Sequence, residues 1–493
     1  MKMWKSTLVA AALVLAASGT ALAARTDVIM GTVLEPPVLD PTANTAAVIG
    51  EITYGNIFEG LTRMDENGTV HPCLADSWTI SPDGLVYTFK LHKGVKFHDG
   101  TPFDANIVKF SLDRARAKDS TNPQKGLYEP IKEIDVVDPL TAKITLSHPD
   151  GDFLFDLAWP QAVMLAPNTA AKDVTDPIGT GPFKFSNWIK GDSVQIVKNP
   201  NYWGKEPALD KATFKFISDP AAAASSLLAG DVDGFINFPA PEAVSQFQSN
   251  PQYTVDIGTT EGETIVAINN ARKPFNDIRV RRALSYAVDR KAVIDGAEYG
   301  FGTPIGSHFA PHNPAYEDLT GKYPYDPAKA KELLKEAGYP NGFKTVIKLP
   351  PPPYARRGGE IIAAELKQVG VDAQLVPVEW AQWLSDVFKN KDYDLTIISH
   401  VEPLDIGIYA RPNYYFNYHN PKFNKVMDEL NVTQDQKKRT ELYHQAQEIL
   451  ADDAVNVFLF ELPKIGIWNA KLKGLWKNWP IDADVLSDVH WEQ

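Results

Sequence analysis

Two hydrophobic patterns succeed one another along the chain: short runs in which apolar and polar residues alternate, and longer stretches in which apolar residues return every three or four positions. The first is the signature of a half-buried strand, the second of an amphipathic helix. Tyr87, Phe89 and Leu91 alternate with Thr88 and Lys90. Ser81-Pro82-Asp83-Gly84 ahead of them is turn chemistry, because proline presets φ and glycine accepts a positive φ. A hairpin is therefore predicted from Trp78 to Leu91. Asp104 is placed to cap a helix carrying Ile107, Val108, Phe110 and Leu112. Asp219-Pro220 and Asp326-Pro327 each open a helix that Gly230 and Gly338 end, in the order cap, first-turn proline, terminal glycine. Ile361 to Val369 forms another, stopped by Gly370. Thr433 and Gln436 read as a capping box ahead of a helix with Leu442, Ala446, Ile449 and Leu450. Pro350 to Pro353, followed by Tyr354 and Arg356-Arg357, reads as a stiff loop, either on the surface or walling a cleft. Strands and helices alternating irregularly predict α/β or α+β layers.

The 493 residues suffice for about three domains at ~150 residues each. Hydrophobic residues at 44% and charged residues at 23% exclude a disordered chain, a coiled coil and a polytopic membrane protein. A net charge of −13 argues against nucleic-acid binding, which needs a basic face. Cys73 is the one cysteine, so no intramolecular disulfide or cysteine metal cluster is expected, and a small buried apolar role is. At the N-terminus, Lys2 and Lys5 precede an apolar run from Leu8 to Ala17, and Ala21-Leu22-Ala23 has the small-x-small form that signal peptidase reads. Residues 1–23 are expected to be a cleaved export signal. No cysteine follows the cleavage point, so no lipid anchor is expected there. No later run approaches ~18 consecutive apolar residues. The expected location is the periplasm, or outside the cell.

Signatures of bond-breaking chemistry are missing. There is no Gly-x-Ser-x-Gly elbow and no phosphate-cradling glycine loop. The histidines are scattered: His92 and His98 flank Lys93 to Lys96, and His308 and His312 lie in a proline-bounded loop, outside any helical metal motif. No catalytic residue, metal site or cofactor is expected. Arg279, Arg281 and Arg282 precede an apolar helical stripe and are expected to be solvated or paired within the fold rather than to form an anion patch.

Residues 74–114, LADSWTISPDGLVYTFKLHKGVKFHDGTPFDANIVKFSLDR, resemble the signature block of the family 5 extracellular solute-binding proteins, the family of dipeptide-, oligopeptide- and nickel-binding components of ABC importers. Further blocks agree in order: EPPVLD at 35–40, GTGPFKFSNW at 179–188, NPNYWG at 199–204, LLAGDVD at 227–233, PFNDIRVRRALSYAVDR at 274–290 and YDPAKAKELLKEAGY at 325–339. The resemblance implies an α/β, two-lobed periplasmic binding protein fold (type II, large peptide-binding subclass). Lobe one would span residues 24–269 with a subdomain inserted at about 62–173, lobe two 270–460, and residues 461–493 would return to lobe one. The hinge is expected in extended segments near Ile265 to Asn270 and Val457 to Leu462.

On this resemblance the protein captures a short peptide or peptide-like solute between its lobes and delivers it to an ABC permease with cytoplasmic ATPases, as a monomer. Alternatives within the fold are a nickel chelate, an opine or an oligosaccharide. A secreted hydrolase is the reading from a different class, and it needs a nucleophile–base or carboxylate pair. In peptide-binding relatives an aspartate in the loop after a lobe-two strand holds the ligand's amine. The matching region here, DLTIISHVEPLDIGIYARPNYYFNY at 394–418, offers Asp405 first and Glu402 second, with His400, Tyr409, Arg411 and Tyr414 around them. The family's usual Gly-Trp and Asp-Pro pattern is replaced by Ser399-His400 and Pro403-Leu404-Asp405. Arg411 suits a ligand carboxylate through paired hydrogen bonds. Trp380, Trp383 and Trp159 are candidate cleft walls, and Glu35 and Asn269 complete the candidate ligand-binding set.

Overall fold

A computed structural model describes residues 25–492; the expected export signal lies outside them. One sheet runs through the molecule. In spatial order its strands are Val371–Pro377, Phe343–Leu349, Leu395–His400, Tyr253–Ile268, Val457–Asn469, Gly234–Phe235, Asp27–Thr32, Lys211–Phe216, Ser193–Lys198 and Phe183–Ile189. The first three form one half-sheet and the last five another. The two long central strands belong to both.

Those central strands pair antiparallel from Tyr253↔Asn469 to Thr259↔Pro463, lose register over Thr260–Gly262, and resume at Glu263↔Glu461. Beyond the break, Glu263 to Ile268 also pair with Leu395–His400. The crossover from one half-sheet to the other is thus at Thr260–Gly262 opposite Leu462. Of the two expected hinge segments, Val457 to Leu462 reaches this crossover at Leu462, whereas Ile265 to Asn270 lies beyond it inside the second half-sheet, with Ile265, Val266, Ala267 and Ile268 fully buried.

Apolar side chains cover both faces of each half-sheet. Val28, Phe214 and Ile196 pack on one face of the first, together with Leu472, Ile481 and Leu486 of the C-terminal stretch; Phe235, Phe238 and Phe247 cover the other. In the second, Ile265, Ile398 and Tyr409 lie on one face and Val266, Ile347 and Leu366 on the other. A separate core lies under the four-stranded sheet Ala75–Ile80, Val86–Leu91, Thr141–Leu146 and Ile131–Asp138. The helix Ala105–Arg116 closes it with Ile107, Val108 and Leu112, each contributing about 1.5–3 kcal/mol by burial.

Local signals produced the expected elements where the cap lies beside the helix it starts. Asp104, Asp219 and Asp326 each accept a backbone N–H at their helix start. Gly84 and Gly230 adopt φ of 71° and 76°, conformations open to glycine without strain. Two expectations need correcting. Pro353 is the first residue of the helix Pro353–Gln368, so Tyr354, Arg356 and Arg357 are helical rather than in a loop. Thr433 ends the helix Pro421–Val432 and bonds back to the Glu429 carbonyl, while Asp435 caps the helix Gln436–Asp452 in place of the expected capping box. Arg281 and Arg282 are spent on the carbonyls of Phe275, Asp452, Asp453 and Ala454, as an internally paired cluster.

The inserted subdomain also touches the second lobe directly. Gly151 donates to the Asn431 carbonyl at 2.8 Å, and Arg439, 5% exposed, bonds Asp152 and the carbonyls of Leu430 and Thr433. Removing the guanidinium takes the counter-charge from Asp152, which keeps only Tyr443, and strips a donor from the Leu430 and Thr433 carbonyls. Arg439→Leu is therefore expected to cost about 3 kcal/mol, read as a lower urea midpoint at unchanged slope. Equal midpoints would show that this contact does not form in solution.

Candidate functional site

The crossover strands form the floor of a cleft between the lobes. One arm of it, about 520 Å³, is bounded by Trp159, Gln161, Asn237, Trp479 and Asp482 on the first lobe, by Thr260–Gly262, Leu462 and Pro463 at the crossover, and by Val401, Glu402 and Pro403 on the second. Trp159 caps the 3-10 turn Pro160–Ala162, where the proline fixes the chain direction, and its ring meets Phe155 edge-on. Trp479 is held by its backbone N–H on Thr259 and its indole N–H on Ala483. Val401 to Pro403 leave the end of the strand Leu395–His400, with Glu402 exposed.

The arm is acidic. Glu261, Glu402 and Asp482 line it, and no lysine, arginine or histidine does. Asp482 keeps an exposed edge, and the protein packed around the cleft mouth pushes its carboxyl up to about 6. Burial also raises Glu261, against the hydrogen bond that His312 makes to it at 2.8 Å. Two buried polar atoms of the arm, Trp159 Nε1 and Gln161 Oε1, have no partner in the protein.

A second hollow of about 390 Å³ adjoins Leu462, between Pro220, Pro239 and Pro241 of the first lobe and Tyr299, Tyr354 and Arg357 of the second. Arg357 is its one basic lining residue. Its guanidinium carbon sits 4.8 Å from the Tyr299 ring centroid, and its Nε is buried without a partner. Glu298 beside it is pushed up to about 7 by burial, with Arg357 pulling the other way.

Asp405 faces neither arm. Its Oδ1 is 2.6 Å from His308 Nε2 and its Oδ2 is 3.4 Å from His400 Nδ1. Burial works to raise this carboxyl; His308, seconded by His400, overcomes that and holds it well below the usual carboxylate range. The expectation that Asp405 offers a free carboxylate to the cleft is corrected: both oxygens are engaged inside the second lobe. Of the residues expected from sequence, Trp159 and Glu402 line the cleft. His400 and Tyr409 join the Asp405 cluster. Trp383 is buried with its indole N–H on Thr396, and Trp380 packs edge-on against it, 42% exposed. Arg411 is exposed beside Tyr414. Glu35 accepts from Trp188 and Gly191, and Asn269 bonds the carbonyls of Lys391 and Tyr393. Neither reaches the cleft lining.

Sequence reasoning missed Gln161, Asn237, Glu261, Trp479 and Asp482, whereas Tyr354 and Arg357 belong to the stretch it offered as a cleft wall. Only Gln161 had a usable signal, two positions from Trp159. The others come from segments that meet only through the long-strand pairing.

The model of the bacterial extracellular solute-binding proteins, family 5 Middle, matches residues 69–424. The glutathione-binding protein GsiB of Salmonella paratyphi A is 32% identical over 480 residues, covering 92% of this chain and 93% of that protein. Among solved structures, HbpA2 from Haemophilus parasuis superposes with a TM-score of 0.87 at 26% identity, over 95% of this chain and 100% of that one. The periplasmic binding protein DppA from Helicobacter pylori, in complex with the peptide STSA, has a TM-score of 0.75 at 28% identity, over 95% and 99%. This chain belongs to the bacterial extracellular solute-binding proteins of family 5.

Proposed function

We propose that this protein is the periplasmic receptor of an ABC importer for short zwitterionic peptides or peptide-like solutes, working as a monomer after removal of residues 1–23 and breaking no bond. The observation that carries this reading is the acidic lining of the arm beside Leu462. An ammonium group suits Glu402 and Asp482 there, with Glu261 behind them engaged by His312. The adjoining hollow is mixed in charge, with Arg357 facing Glu242 and Glu298, and Arg357 is its group able to meet a carboxylate. Between them, Trp159 and Trp479 supply apolar walls. Clefts of this kind combine apolar surface with few oriented polar groups. Similarity to a glutathione-binding protein and to a peptide complex supports the peptide-like class. Glutathione itself carries two carboxylates, and only Arg357 is placed to meet one.

The test is calorimetric titration with a panel of free dipeptides and tripeptides, their N-acetylated and C-amidated forms, and glutathione. N-acetylation is expected to abolish binding, and Glu402→Gln to weaken it by ~2–5 kcal/mol, the range for losing one partner of a desolvated charge pair. Arg357→Gln should weaken free-acid peptides and leave C-amidated ones unaffected. Equal binding of acetylated and free peptides would overturn the reading.

The Asp482 carboxyl adds a pH dependence. With a pKa of about 6 it is mostly neutral at pH 5 and mostly charged at pH 7, while a peptide amine stays protonated throughout at its ordinary pKa of ~7.7–8. Affinity is therefore expected to rise by about tenfold from pH 5 to pH 7, since an adjacent cation lowers a carboxyl pKa by ~1 or more. Asp482→Asn should flatten that profile. A variant that keeps the full slope would remove Asp482 from the amine site.

A further inference from the structure

Away from the cleft, a set of metal-ligating side chains meets on the buried face of the second half-sheet. The strand ladders place Glu461 opposite Glu263, and Glu263 opposite His400. Their side chains thus leave one face in a row across three neighbouring strands, at cross-strand Cβ spacings of about 4.5–5.5 Å. His308 and Asp405 close over this row from two loops. Donor atoms of His308, His400 and Asp405 all lie within 4.8 Å of one another.

Two independent features go beyond proximity. The outward ring nitrogens are both held: His308 Nδ1 lies 3.2 Å from the Tyr409 hydroxyl and His400 Nε2 lies 3.0 Å from the Tyr415 hydroxyl. Fixing the remote nitrogen is how proteins orient imidazoles toward a metal. Second, Glu263 is 3% exposed, lines the same small chamber as His308 and Asp405, and leaves Oε2 without a partner. Both carboxylate oxygens of fully buried Glu461 are also unpartnered. Buried carboxylates without a counter-charge are costly, and the row holds more acid than its imidazoles can neutralise.

We propose that His308, His400 and Asp405 bind a divalent transition-metal ion of the zinc type, with the unpartnered carboxyl of Glu263 in the same chamber and Glu461 behind it supplying further negative charge. Two imidazoles and a carboxylate suit zinc and its neighbours, whereas calcium and magnesium prefer oxygen alone. Three protein ligands on a buried sheet face, with Glu263 beside them, describe a site sealed from solvent. Tetrahedral bonds of ~2.0–2.2 Å separate donors by about 3.3 Å, close to the 3.4 Å between His400 and Asp405 and a modest opening of the 2.6 Å between His308 and Asp405. His400 and Asp405 bracket Val401 to Leu404, so the ion would pin both ends of the loop that carries Glu402.

The test uses the full mature chain, dialysed against EDTA, confirmed folded by circular dichroism, then titrated with cobalt chloride and zinc chloride. Uptake of a single cobalt ion with the visible absorption of a tetrahedral complex, and a zinc-dependent rise in Tm, are expected. Asp405→Asn and His308→Gln should each weaken cobalt binding by more than about 100-fold, beyond the range of outer-sphere changes, while His92→Gln leaves it unchanged. A folded, EDTA-treated wild type that shows no cobalt absorption and no zinc-dependent Tm shift would overturn the proposal. Cobalt absorption that persists in His308→Gln would do the same by placing the ion elsewhere.

Discussion

The pairing of Tyr253–Ile268 with Val457–Asn469 is the constraint on which the rest of the molecule depends. Strands of 16 and 13 residues are far longer than the usual five or six, and each serves two half-sheets. Their ladder bonds join the lobes without a flexible linker, so the lobes cannot separate freely. The same ladder fails at Thr260–Gly262. Bulged residues lack the bonds that stiffen a strand and increase its local twist. The ladder is thus weakest at Thr260–Gly262, with a smaller irregularity at Thr264/Ile265, at the floor of the cleft.

This placement explains why the cleft is polar at its floor. A break in a ladder leaves backbone groups without strand partners, and these need water, side chains or ligand. Thr260 answers part of the demand, accepting from Gly262 N–H and donating to the Leu462 carbonyl. Neighbouring Glu261 points to His312. The lobes themselves are held by ordinary close-packed apolar layers, and the subdomain is fastened to the second lobe through Arg439 and Gly151.

Much of the architecture was legible because its signals are local. Aspartate before a helix, glycine after it and alternation within a strand act over a few residues, and the structure placed Asp104, Asp219 and Asp326 at the caps the sequence assigned them. Errors came where two local rules competed. The proline run was read as a breaker although Pro353 stands at the first helical position, which tolerates it. Thr433 had cap chemistry, but it closes the preceding helix. The site was less legible for a different reason. Asp405 and Glu402 sit three residues apart, and nothing within the loop says which one faces the cleft. That is decided by His308, distant in sequence, which draws Asp405 inward. In the same way Trp479 and Asp482 reach the cleft only because the C-terminal stretch returns to the first lobe.

On the proposed reading, the distribution of acid between the lobes also accounts for how solute drives closure. A ligand shifts a conformational balance only by its difference in affinity for the two states. Asp482 belongs to the first lobe and Glu402 to the second. Two carboxylates approaching to about 8 Å at an effective dielectric near 20 repel by about 2 kcal/mol, less with salt. That term opposes closure of the empty cleft. An ammonium between them reverses its sign, since both lobes then attract the same charge. A neutral or anionic molecule of equal shape has no such effect, so the discrimination arises in the closing step as well as in the contact itself. It also requires that Glu402 be held firmly while the lobes move. Val401 to Leu404 are anchored at His400 and Asp405 within the second lobe, and the break in the ladder at Thr260–Gly262 lies outside that anchored loop.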